Sequence, residues 1–216
     1  MITFERSTDY ALIRRILTHP RIYKYISDDY SPPADEYRPV KSEAVWYVVV
    51  RDRQTGGSDL LGLWMFVPMN GICWEVHTCL MPCAWGDVGL EAARQLPAWI
   101  WRNTPCRRII TNVPSNNRLA LHFALKAGMK IHGCNRASWL KGGILYDQLC
   151  LGISPGEKHS RSEAETGQEA TAAVGMGITG DLDVAAHAPA SPGERPAGAE
   201  KRTAELISCG VQPHEV

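Results

Sequence analysis

TNVPSNNRLALHFALKAGM, residues Thr111–Met129, reads as the end of a buried strand, a sharp turn, and an amphipathic helix that stops at a glycine. The residues leading into it, Arg107 to Val113, are rich in β-branched side chains and end at Pro114, which cannot continue a ladder. Ser115 or Asn116 can cap the helix, because a short polar side chain accepts the orphan N–H groups of a first turn. Leu121 and Leu125 share one helix face, and Ala120, Phe123 and Ala127 a neighbouring one. Gly128 stands where a left-handed C′ residue is wanted. The whole is a βα unit whose helix N-terminus opens at the C-terminal end of a strand, a place suited to an anionic or carbonyl-bearing ligand.

Outward from this unit the chain begins with a strand, Ile2–Glu5, and a helix of apolar spacing over Asp9–Thr18 that ends at His19-Pro20. A short helix at Ile22–Tyr25 precedes a loop, Asp28–Pro39, rich in Asp, Pro and Tyr. Strands Ala44–Arg51 and Leu60–Pro68 are joined by the turn Gln54–Ser58, and Gly71–Met81 is the next strand. Asp87 is a candidate cap for a helix reaching about Trp101, which Pro97 should kink or split. Lys130–Cys134 and Leu145–Ile153 close the domain. This order predicts a mixed α/β domain and excludes a dinucleotide-binding fold, which would repeat βαβ from its start.

Three motifs in this order carry a resemblance. Asn117-x-x-Ala120 followed by Lys126-Ala127-Gly128-Met129, the strand Trp74–Met81 leading through Pro82 to Trp85-Gly86, and the final Tyr146–Leu151 resemble the GNAT superfamily of acyl-CoA-dependent N-acetyltransferases. The likeness covers roughly residues 1–153 and is nearest to small GNAT-like proteins of bacteriophages and prophages. It implies a central, mixed and mostly antiparallel twisted sheet flanked by helices, with residues 1–154 forming the acyltransferase domain. It also implies acetyl-CoA as co-substrate. The cofactor contacts it implies fall on Leu80, Met81, Trp85, Gly86, Gly89, Asn112 and Asn117. The partner is then an amine-bearing small molecule, or a protein N-terminus or lysine.

Acetyl transfer to an amine needs a polarised thioester carbonyl and a base that keeps the amine neutral, with no metal. In the strand Cys73–Leu80, alternation puts Cys73, Glu75, His77 and Cys79 on one face and Trp74, Val76, Thr78 and Leu80 on the other. Glu75 and His77 thus point the same way, one strand repeat apart, and the resemblance makes them the catalytic pair with Glu75 as base. The two can equally satisfy each other.

Two departures from the family pattern stand out. The pyrophosphate loop, usually Arg/Gln-x-x-Gly-x-Gly/Ala, reads Cys83-Ala84-Trp85-Gly86-Asp87-Val88-Gly89, which puts a carboxylate where the diphosphate should lie. Where many members place a proton-donating Tyr, this chain has Ala124. These departures define a second expectation, a catalytically degenerate GNAT-fold protein kept as a phage structural or accessory binding module.

Composition bounds the rest. Lys plus Arg and Asp plus Glu balance at 23 each, so no global field draws the chain to nucleic acid or a membrane. All 7 Trp, 7 Tyr and 3 Phe lie at or before Tyr146. Residues 155–216, rich in Ala, Gly, Pro, Glu, Ser and Thr, are therefore expected to form a disordered low-complexity tail. Glu5, Arg6 and Asp9 interrupt any signal-peptide core, and the apolar runs fall short of the ~20 residues that span a bilayer. The 7 cysteines, an odd number on strand-like segments, suit a reducing cytoplasm better than a disulfide scaffold; the phage resemblance adds virion association as the alternative location. Cys79-x-x-x-Cys83 with His77 has no answering ligand pair, so no metal is expected.

Overall fold

The computed structural model describes residues 1–53 and 59–156. The turn Gln54–Ser58 and the tail beyond Gly156 lie outside the described residues. In chain order the elements are β1 (Ile2–Ser7), α1 (Tyr10–Leu17), α2 (Pro20–Ile26), β2 (Trp46–Asp52), β3 (Leu60–Pro68), β4 (Cys73–Leu80), α3 (Asp87–Asn103), β5 (Arg108–Pro114), α4 (Arg118–Lys126), β6 (Lys130–Lys141) and β7 (Ile144–Ile153). The strands form one sheet in the order β1-β2-β3-β4-β5-β7-β6. Every neighbouring pair is antiparallel except β4 and β5, which run parallel. The fold is the mixed, mostly antiparallel sheet with flanking helices that the sequence led us to expect.

Each face of the sheet has its own core. Trp64, Phe66, Trp74 and Val76 point toward α3, where they pack with Ala92, Leu96 and Ile100. Leu63, Met65, Tyr47, Val49 and Cys79 point the other way, onto Ile13, Ile16, Leu17 and Ile22 of α1 and α2. Covered on both faces, β3 reads as the continuous apolar run Leu61–Phe66, all buried, rather than as an alternation. Helix α4 packs Ala124 against Val113, Leu149 and Leu151 on the α3 side of the sheet. The α1/α2 side of β5 and β7 is thereby left without a helix of its own.

Four local expectations are corrected. Asn117 caps α4, its side chain accepting from the Ala120 N–H at 3.1 Å, in place of Ser115 or Asn116. Gly86 is the N-cap of α3 at φ 115°, and Asp87 is the first residue inside the helix. Helix α3 is not split at Pro97 but continues from Asp87 to Asn103, with the proline ring buried on its core face. Strand β6 extends to Lys141 rather than ending at Cys134, and a tight Gly142-Gly143 turn, both at positive φ, returns it into β7. Register shifts between Ile131 and Gly133 and between Asn135 and Trp139, with Ala137 at φ 46°, break the period-two pattern that would have marked this strand.

Candidate functional site

Strands β4 and β5 pair only at Cys73↔Arg108, Trp74↔Ile109 and Glu75↔Ile110. Beyond that rung both continue, β4 bonded to β3 as far as Leu80 and β5 bonded to β7 as far as Pro114. The sheet therefore opens along this seam into two halves, and Glu75 sits on the last closed rung. The Met81 N–H donates to the Leu61 carbonyl at 2.8 Å, so alternation turns the Leu80 N–H and C=O into the opening. The Leu80 carbonyl there accepts the Trp85 indole N–H at 3.0 Å. Of the two strand-end residues expected to offer free backbone groups, Met81 thus gives its N–H to β3, and the Leu80 carbonyl faces the seam under an indole.

The loop after β4 makes a single 3₁₀ turn, Pro82–Ala84, before α3. Gly89 has a packing role: a Cβ there would lie 2.1 Å from the Ala84 carbonyl oxygen. Gly86 differs, since a Cβ would meet nothing within 4 Å and only its φ of +115° asks for glycine. No side chain caps the α3 N-terminus, so its first N–H groups and dipole face outward beside the exposed Asp87. Trp85 is 42% exposed, and the Arg21 guanidinium stacks 4.6 Å from its ring centre. That cation lies next to the loop, where the sequence pattern lacks its leading Arg or Gln.

On the face of the sheet away from α3, Glu75 and His77 point together toward α1 and α2, as alternation requires. Asn112 donates its amide to Glu75 Oε1 at 2.9 Å and stands 3.4 Å from the Asn135 amide on β6. Asn112 was expected at the cofactor, but its side chain belongs to the Glu75 cluster. Asn117 was expected there too, and its Oδ1 is committed to the α4 cap. Asn135 was missed because it lies in the unrecognised half of β6. The Gly142-Gly143 pair between two apolar runs was the available signal.

Burial holds the His77 imidazole below its ordinary range, while the Glu75 carboxylate pulls it back up. The side chain is therefore neutral at pH 7 and able to accept a proton. Stability carries the same imprint. A depressed folded pKa means that the unfolded chain binds more protons, so this contribution is complete above ~6.5 and is lost as pH falls below it. The melting temperature of wild type should drop more steeply between pH 7 and 5 than that of His77→Gln. Parallel slopes would show that the imidazole titrates normally.

The two halves of the sheet are also tied together away from the seam. Lys141 at the β6–β7 hairpin tip donates its ammonium to the Lys24 carbonyl at 2.6 Å and to the Ser27 carbonyl. Asp29, in the loop after α2, accepts from the Gly142 and Gly143 N–H groups at 2.7 Å each, which lowers its carboxyl pKa. The end of α2 and the hairpin tip are thus joined directly on the side of the sheet that Glu75 faces. A depression of about 410 Å³ between β1 and α3, lined by Phe4, Trp99 and Arg102 among others, includes none of Glu75, His77, Asn112 or Asn135. Among the described residues no cluster of three or more His, Cys, Asp or Glu could hold a metal ion. No described helix is long and apolar enough to cross a membrane.

Comparison with known proteins agrees with this fold. The acetyltransferase (GNAT) domain family model matches residues 2–130. The spermidine N-acetyltransferase of Vibrio cholerae, solved with CoA and spermine, superposes with a TM-score of 0.59 at 17% identity over 72% of this chain and 96% of that one. A chimera of the Vibrio cholerae enzyme and hSSAT gives 0.58 at 17% identity, covering 71% of this chain and 95% of that one. A protein described as a probable GNAT-family acetyltransferase from Chromobacterium violaceum gives 0.57 at 16% identity, over 72% and 84% respectively. At such identities the structural likeness speaks for the fold. No curated protein sequence gives a significant match.

Proposed function

Because this chain belongs to the GNAT acetyltransferase family, whose members take acetyl-CoA as acyl donor, we propose that it acetylates a primary amine by direct attack, with Glu75 as general base and His77 assisting. One observation supports this above the others: the seam between β4 and β5 opens immediately beyond Glu75, so the base stands at the junction of two approaches. From one side, an extended arm can pair with the backbone that β4 leaves free beyond Glu75. From the other, an amine can reach the carboxylate on the sheet face turned toward α1 and α2.

The residues present fit a bound CoA on two counts. The seam offers unpaired strand edges, and the uncapped α3 N-terminus at Gly86 offers backbone N–H groups to phosphate oxygens. Bound there, acetyl-CoA supplies the electrophilic thioester carbonyl. Leu80 and Met81 flank the arm, Trp85, Gly86 and Gly89 shape the loop at the diphosphate, and Arg21, stacked on Trp85, adds a cation beside that loop. Glu75, or the neutral His77, takes a proton from the substrate ammonium so that the uncharged amine can attack the carbonyl, since only that form is nucleophilic. Ala124 is buried and protonates nothing. The leaving thiolate departs without a tyrosine, which a pKa near ~8.5 allows.

A protein that binds CoA without turnover is the second reading. It is favoured by Ala124, buried where many members of the family carry a proton-donating tyrosine. The full-length protein, titrated calorimetrically with acetyl-CoA and CoA and then assayed for thiol release with polyamines, lysine peptides and free N-terminal peptides, separates the two. Polyamines head the panel because the Vibrio cholerae relative was solved with spermine. We expect saturable acetyl-CoA binding and amine-dependent thiol release. Binding without release for every amine supports the second reading, and the absence of binding overturns both.

A further inference from the structure

Glu75 lies on the last paired rung, and past it nothing in the backbone of β5 reaches β4. A glutamate there keeps three side-chain torsions, the last of them broad, so its carboxylate is not aimed by the strand alone. Asn112 supplies the missing constraint. It stands two residues beyond Ile110, the register partner of Glu75, and alternation puts it on the same face. Its Nδ2 crosses the open seam to Oε1 of Glu75 at 2.9 Å. Behind it, Oδ1 faces Nδ2 of Asn135 at 3.4 Å, which sets the amide so that a donor, not an acceptor, meets the carboxylate.

We propose that Asn112 is a positioning residue for acetyl transfer: it holds one carboxylate oxygen of Glu75 across the seam and thereby aims the other at the acceptor amine. The inference rests on the acetyltransferase reading above. It moves Asn112 from the cofactor to the acceptor side of the site, and it extends the functional cluster to Asn135 on the edge strand.

The other groups around Glu75 define what a change at Asn112 would do. On β4 the same face carries Cys73 and His77, with Cys79 beyond. On β5 it carries Arg108, whose guanidinium donates to Ser154 Oγ at 3.0 Å and so leans toward β7. The β3 partner of Glu75 is Val67, and the β7 partner of Asn112 is Cys150. Tyr37, from the loop after α2, packs on the Met65 and Cys79 part of the face. A carboxylate placed at position 112 would therefore act on Glu75 directly, as the nearest like charge.

The test uses full-length Asn112→Leu and Asn112→Asp with an amine that wild type acetylates. Losing a hydrogen bond to a charged group is worth about ten- to a hundredfold, so Asn112→Leu should lower kcat by that factor and leave the acetyl-CoA Kd unchanged. Asn112→Asp should move the acidic limb of the kcat/KM profile to higher pH by about one unit, because a neighbouring carboxylate disfavours the charged base. A limb that moves while the acetyl-CoA Kd stays at the wild-type value places the side chain at position 112 beside the base and not at the cofactor. If Asn112→Leu does not unfold cooperatively, the Asn112→Asp profile carries the test. An unmoved limb, or a weakened acetyl-CoA Kd with unchanged kcat, overturns the assignment while the acetyltransferase reading stands. Wild type that acetylates no amine overturns both.

Discussion

Glu75→Gln should lower kcat by roughly 10²–10⁴-fold while leaving acetyl-CoA affinity within about twofold of wild type. The size follows from what a positioned base contributes when it accepts a proton in the transition state. The selectivity follows from geometry. Glu75 faces α1 and α2, whereas the uncapped α3 N-terminus and the Gly86 loop lie beyond the end of β4. Gln keeps the shape and still accepts the Asn112 amide through its carbonyl, so the substitution removes basicity and little else. His77 is one strand repeat away and neutral, so a residual rate in Glu75→Gln that disappears in the double variant with His77→Gln would assign the remainder to the imidazole. Thiol release against a panel of amines measures all three proteins. Turnover that persists undiminished in the double variant sinks the proposed base.

Gly62→Ala should cost about 2–4 kcal/mol of stability, the sum of left-handed strain and an overpacked contact. Its φ is +133°, and an added Cβ would lie 2.4 Å from the Cys79 carbonyl oxygen and 2.7 Å from the Leu80 Cα. Both neighbours are backbone, so neither can rotate away. Strand β4 would have to shift at the residues that form one lip of the seam, and the site would be disturbed together with the fold. For a domain of this size the melting temperature should fall by roughly 5–15 °C. Gly71→Ala is the matched control, since a Cβ there meets nothing within 4 Å, and should stay within about 0.5 kcal/mol of wild type. Calorimetric melting of the two variants side by side decides the matter. A Gly62→Ala protein as stable as wild type would mean that β3 and β4 do not approach this closely.

Which parts of this architecture could be read before folding depends on the range of the interactions involved. The order of elements was legible because each depends on local chemistry: period-two alternation in β4, helical spacing in α1 and α4, and a left-handed glycine at Gly128. The shared face of Glu75 and His77 was legible for the same reason, since alternation along one strand needs no partner. Capping was harder. Ser115, Asn116 and Asn117 are chemically near-equivalent caps, and the turn after Pro114, closed by the Asn117 N–H on the Pro114 carbonyl, selected the last of them.

What only the tertiary structure decided are contacts between residues far apart in the chain. Nothing local relates Asn112 to Glu75, 37 residues away, or Lys141 to the end of α2, 117 residues from Lys24. Nothing local says that β4 and β5 part after a single short run of rungs, because that follows from each strand's firmer antiparallel pairing with its other neighbour. Trp85 reads in the sequence as a loop residue beside a glycine, and only the opened strand edge turns its indole onto the Leu80 carbonyl. The sequence by itself determined the elements and the faces of their side chains. The pairing of those faces across the seam, and hence which polar groups meet there, was set by the packing of two half-sheets against helices on both sides.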